Sequence, residues 1–205
     1  MTPTKIKLST TELGLLTNPS FILTKNAVIE KVYAFFGQMA AIFTNELTTN
    51  KWLPKEVIAT SAKIAKGENY QGLPWVMLDY PRLFNKEDTF TIRVFFWWGN
   101  FVSITLQLSG KYQQAYQPQI IQNLTLTQNN NWQLCCNANV WQHHFQPNNY
   151  KAFKSFTNQE LKGLPFIKLA KKIPLKEWDN IDIFLLENFK SLVQISNYPN
   201  DEKVL

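Results

Sequence analysis

The sequence predicts an α+β fold: a mainly antiparallel, twisted sheet, a meander of four to five strands, with long N- and C-terminal helices packed on one face. Three observations lead there. Residues 90–110, FTIRVFFWWGNFVSITLQLSG, concentrate β-branched and aromatic side chains at a two-residue period. Residues 24–47 and 178–196 instead repeat apolar side chains at helical spacing. Helical segments at the two ends with strands between them describe segregated layers around one core.

Taken in order, Ser9 with Glu12 three positions later fits a capping box, and Leu13 and Leu16 follow. A short helix is expected over 9–17, ended by Asn18-Pro19. The first long helix runs from about Thr24 to Leu47, with Val28, Val32, Phe35, Phe36, Met39, Ile42, Phe43 and Leu47 on its apolar stripe. A third helix is expected from Pro54 to Lys66, since proline suits a first turn and Gly67 a helix end. Pro74 to Tyr80 reads as a strand that Pro81 ends. Its Trp75, Met77 and Asp79 share one face; Val76, Leu78 and Tyr80 share the other.

The 90–110 stretch is a hairpin. Phe90, Ile92, Val94, Phe96 and Trp98 on its first strand and Val102, Ile104, Leu106 and Leu108 on its second are all apolar and even-numbered. Directly paired residues share a face, so these two sets meet only if the connecting loop has an odd length. A three-residue loop, either Gly99 to Phe101 or Trp98 to Asn100, satisfies this, with Gly or Asn available for the left-handed position. The expected neighbours on the odd face are Arg93 with Gln107, Phe95 with Thr105 and Trp97 with Ser103.

Beyond the hairpin, Tyr112, Tyr116, Ile120 and Leu124 recur every four residues and suggest a helix that Pro118 breaks or kinks. Trp132 to Cys136 reads as a strand, with Val140 to Phe145 as its hairpin partner or an edge segment; the asparagine clusters around them mark turns. Thr157 and Glu160 repeat the capping-box pattern ahead of lysine-rich helices divided by Pro165 and Pro174. In the last helix Ile181, Leu185, Phe189, Leu192, Val193 and Ile195 form the buried stripe, and residues 198–205 read as a loosely ordered tail.

A chain of 205 residues with 45% hydrophobic content is read as a single domain, 1–205, with a substantial core. The N-terminus has no secretory pattern, no stretch reads as membrane-spanning, and the two cysteines, Cys135 and Cys136, are adjacent; a cytoplasmic protein is expected. The net charge of +6 favours loose attraction to polyanions. Only Arg82 and Arg93 among the 21 basic residues are arginines, which argues against specific nucleic-acid recognition. The cationic stretch LPFIKLAKKIP reads either as a solvated helix face or as a membrane-surface contact.

No Walker A, GxGxxG, GxSxG or HExxH pattern occurs, and no cofactor is implied. His143 and His144 lie near Cys135 and Cys136 without the spacing of a closed metal site, so no metal is expected. The polar residues that stand out are Asp79 and Arg82, beside the sheet, and Arg93, in mid-strand between aromatic neighbours. Trp75, Asp79, Arg93, Trp97 and Gln107 are the candidate binding residues for a small organic or peptidic, possibly anionic, ligand, because convergent polar groups among apolar walls are what ligand pockets use. An enzyme at the same cleft would use Asp79 or His143 as general acid or base, with Arg93 fixing an anion. A protein partner would meet exposed tryptophans instead. The same face could equally be covered by helices with Arg93 satisfied internally by Asp79.

Overall fold

The computed structural model describes residues 6–48, 50, 53–126 and 131–196. Seven antiparallel strands form one sheet: β1 (Lys63–Tyr70), β2 (Leu73–Phe84), β3 (Thr89–Trp97), β4 (Phe101–Ser109), β5 (Gln133–Cys135), β6 (Tyr150–Ala152) and β7 (Ile167–Pro174). Their spatial order is β1-β2-β3-β4-β7-β5-β6. β2, β3 and β4 are the expected start of the meander; β1 and β7 fall where helix was expected, and seven strands exceed the expected four to five. The largest departure is β7. Its Ile167, Leu169 and Ile173 lie opposite Leu108, Leu106 and Val102, while Lys168, Ala170 and Lys172 fall on the other side. Alternation of apolar residues with lysine in IKLAKKIP is a strand pattern, and the flanking prolines bound it as well as they would bound a helix.

β3 and β4 are joined by the three residues Trp98–Asn100, with Trp97 opposite Phe101 and Gly99 in the left-handed region at φ 71°. The odd-length loop brings all the even-numbered apolar residues to one face. The register differs by two residues from the expected pairs: Arg93 faces Thr105, Phe95 faces Ser103 and Thr91 faces Gln107. Phe101 belongs to the strand, where its ring meets Trp97 edge-on at 5.6 Å.

Pro81 does not end β2. The strand continues to Phe84 through a one-residue bulge, since Asp79 pairs with Arg93 but Arg82 pairs with Thr91. Beyond Asp79 the partner β1 has ended, so the missing proline N–H interrupts no ladder. The bulge reverses which residues face which side: Arg82 and Phe84 join Asp79 on the odd face, where regular alternation would have put them among the helices.

The expected helix over 54–66 is also corrected. Only Lys55–Ile58 is helical (α3), and the edge strand β1 begins at Lys63. Gly67 lies opposite Trp75, and a Cβ there would meet the indole at 2.7 Å. Glycine is therefore a strand residue crossed by a ring, and not a helix end.

Helices cover the even face. They are α2 (Pro19–Thr48), α4 (Gly110–Leu126) and α6 (Ile181–Ile195). Ile29, Val32, Phe36, Met39, Phe43 and Leu47 of α2 are buried, and Phe43 stacks on Phe189 of α6 at 3.9 Å. Burying each such side chain contributes roughly 1.5–3 kcal/mol. Ile42, expected on this stripe, is 40% exposed. α4 runs unbroken through Pro118, because Tyr112, Tyr116, Ile120 and Leu124 are buried and the Gln113 and Gln117 amides donate to Leu164 O and Leu161 O. Both capping boxes form, at Ser9 before α1 (Thr10–Leu16) and at Thr157 before α5 (Asn158–Lys162). Residues 6–24 are exposed throughout, including Leu16, Phe21 and Leu23. By length and composition α2 is apolar enough to cross a membrane, contrary to the sequence reading, although its second half is packed into the protein's own core. The expected tail, 198–205, lies outside the described residues.

Candidate functional site

On the odd face, the cross-strand neighbours Asp79 and Arg93 are joined by two hydrogen bonds, Nε to Oδ1 at 2.7 Å and Nη2 to Oδ2 at 2.9 Å. Both side chains are buried. Each offsets the other's loss of water, and the fork geometry occupies both carboxylate oxygens. The Trp141 ring lies over the Arg93 guanidinium at 5.6 Å and stacks beside Phe84 at 6.4 Å.

Two further polar groups on this floor are unusual. Gln107 is 3% exposed, and its carboxamide has no hydrogen bond among the described residues. Beside it, the fully buried Thr91 hydroxyl has no partner either. A fully buried unpaired group such as the Thr91 hydroxyl is uncommon and costs stability, and the Gln107 carboxamide beside it reaches the cleft surface, so their grouping invites a functional reading.

A roof covers the aromatic end of the same face. It is made of residues 136–149, which were expected to supply a strand from Val140 to Phe145. The partner of β5 is instead β6, with Cys135 opposite Tyr150. The roof satisfies its backbone differently. The buried Lys168 ammonium donates to Val140 O at 2.7 Å and to Gln142 O. The Tyr70 hydroxyl accepts from the His143 and His144 N–H groups at 2.7 and 3.1 Å, and the Asn149 amide donates to His144 O at 2.5 Å. Burial holds the Lys168 ammonium down to about 8, with repulsion from Arg93 adding to it and Cys135 opposing it. The His143 imidazole stacks on Phe95 at 4.6 Å. Burial, then the nearby Lys168, Arg93 and His144 charges, keep it well below the usual histidine range. It is a neutral ring in an aromatic cluster.

Between sheet and roof, toward the β2–β3 turn, is a cleft of about 520 Å³. Its floor includes Met77, Asp79, Arg82, Phe84, Thr89, Arg93 and Gln107. Val140 and Trp141 of the roof and Pro165-Phe166 wall it, and the exposed Lys63 and Lys86 stand at its rim. Among the described residues Asp79 is the only acid lining it, and Arg93 neutralises that charge. Lys63, Arg82 and Lys86 have no ion-pair partner among the described residues. The cleft therefore carries a surplus of positive charge above a polar floor, next to the half-exposed Trp141 ring.

No known family, curated protein or solved structure matches the chain. The site must be read from its own chemistry.

Of the residues singled out in the sequence, Asp79, Arg93 and Gln107 line the cleft together. Trp75, Trp97 and His143 do not. Trp97 is buried with its Nε1–H donating to Tyr70 O, Trp75 covers Gly67 and stacks against Phe95, and His143 sits among the same rings. Arg82, which stands out in the sequence only as a polar residue beside the sheet, faces the cleft, because Arg93 takes the direct cross-strand position opposite Asp79. Lys63, Phe84, Lys86 and Trp141 were missed. The bulge that turns Phe84 inward had one signal, a proline inside an otherwise continuous strand pattern. Lys63 was hidden by reading β1 as helix, and the roof position of Trp141 by the absence of any periodicity. Among the described residues no cluster of three or more His, Cys, Asp or Glu side chains could hold a metal ion.

Proposed function

We propose that the protein binds a small organic anion with a flat apolar part in the cleft between Arg82, Gln107 and Trp141. The observation that carries this reading is the pairing of an unpartnered Gln107 carboxamide at the cleft floor with three cations that no acid among the described residues neutralises. A ligand that accepts from Lys63, Arg82 and Lys86 and bonds Gln107 relieves both imbalances at once. The volume suits a ligand of modest size. Trp141 and Phe84 supply the apolar surface. Binding rather than turnover fits these residues best: both oxygens of Asp79 are held by Arg93, and His143 lies outside the cleft.

A thermal-shift panel of aromatic carboxylates, sugar phosphates and nucleotides, each beside a neutral analogue, tests the proposal. An anion present at about 100 times its dissociation constant adds about 2.7 kcal/mol, roughly 5–10 °C for a chain of this size. Stabilisation by anions and not by their neutral analogues is expected. Equal or absent shifts for both sets remove the proposal.

A further inference from the structure

We infer that the ligand is a mononucleotide, an inference that rests on the anion-binding reading above and narrows it. Three features of the cleft specify the two ends of such a molecule separately.

The first is the Gln107 carboxamide. It presents one donor and one acceptor side by side, both unused by the protein, at the floor of the cleft. A simple carboxylate or sugar phosphate engages only the donor. Both are used by a ring edge with an adjacent donor and acceptor, as on a nucleobase, where glutamine pairs in two-point fashion. The Thr91 hydroxyl, buried and unpartnered beside it, marks the same stretch of floor as short of hydrogen bonds.

The second is Trp141. It is 55% exposed although it forms part of the cleft wall, and Phe84 lies nearly parallel to it at 29°. Base-on-aromatic stacking is tolerant of base identity, and the exposed part of this ring is the surface a base would stack on.

The third is the spread of charge. Arg82 lies on the floor, while Lys63 at the start of β1 and Lys86 in the β2–β3 turn stand at the rim on the same edge of the sheet. A doubly charged phosphate engages several such cations, with arginine as a fork and lysine as a point charge. The ring is thus placed inward against Gln107 and the phosphate outward. A cleft of about 520 Å³, walled by the roof and by Pro165-Phe166, has room for one nucleotide.

Calorimetric titration of the full chain with the ribonucleoside 5′-monophosphates and with ribose 5-phosphate tests this. At least one nucleotide is expected to bind tenfold or more tightly than ribose 5-phosphate. Gln107→Leu and Trp141→Ala are each expected to bring that nucleotide to within about threefold of ribose 5-phosphate measured on the same variant. Trp141 is exposed, so its variant keeps the test open should Gln107→Leu fail to fold. Ribose 5-phosphate binding as tightly as every nucleotide overturns the nucleotide inference and leaves anion binding standing. An RNA oligomer that binds more tightly than all the monomers also overturns it. Binding of none of these probes overturns it too, and the carboxylates of the thermal-shift panel then decide the anion reading by themselves.

Discussion

Asp79 and Arg93 show how one cross-strand pair decides what the surrounding residues are free to do. With both carboxylate oxygens held by the guanidinium, removing either partner strands a buried charge. Asp79→Ala is expected to cost about 3–5 kcal/mol of unfolding free energy, measured by denaturant titration, and an effect near zero would mean that the pair is hydrated. Lys168 is a buried cation with carbonyl partners and no acidic partner among the described residues, so its signature is in pH. Its folded value, about 8, lies below the ordinary 10.5, so the unfolded chain binds more protons between those two values. Stability attributable to Lys168 therefore rises with pH across that window, by on the order of 3 kcal/mol at most. The stability difference between wild type and Lys168→Met, followed by denaturation at successive pH values, isolates this from Tyr150 and Cys135. A difference that stays flat from pH 8 to 10.5 contradicts the burial of the charge. His143 acts in the same sense lower on the scale: its neutral folded ring loses stability as pH falls below the ordinary 6.5.

The strands and the roof differ in how far local sequence determines them. The β3–β4 hairpin is written twice, in its alternation and in Gly99, and only its register escaped, because two loops of equal length satisfy the same parity. β1 carries no such redundancy. Its half-exposed edge position leaves little apolar pattern, and Gly67 is explained by a ring from the neighbouring strand, which no window of β1 contains. Gly67→Ala is expected to destabilise by about 1–3 kcal/mol through that contact. In a double-mutant cycle, Trp75→Leu should recover most of the loss. Additive effects of the two changes would show that the indole does not lie against the glycine backbone. The roof is legible least of all. Its backbone is satisfied by Lys168 and Tyr70, residues 28 and 73 positions away from those they bond, and such partners leave no periodic trace.

Across the whole molecule, the layering follows directly from the chain: apolar helices on one face of an antiparallel meander. Three residues of the cleft followed as well, since Asp79, Arg93 and Gln107 were marked by being polar on an otherwise β-forming strand face. The rest depends on a bulge at Pro81 that turns Arg82 and Phe84 inward, and on a coil segment that delivers Trp141 from across the sheet. These are tertiary facts, set by where one strand's partner stops and where a roof finds acceptors and donors. The account as a whole depends on Arg82 being a free cation facing a binding cleft. Its most direct test is the affinity of the most stabilising anion for wild type and Arg82→Ala, titrated at low and at physiological salt. A loss of tenfold or more in the variant, about 1.4 kcal/mol, with wild-type affinity falling as salt rises, is the predicted result; equal affinities in both proteins at both salts would contradict it.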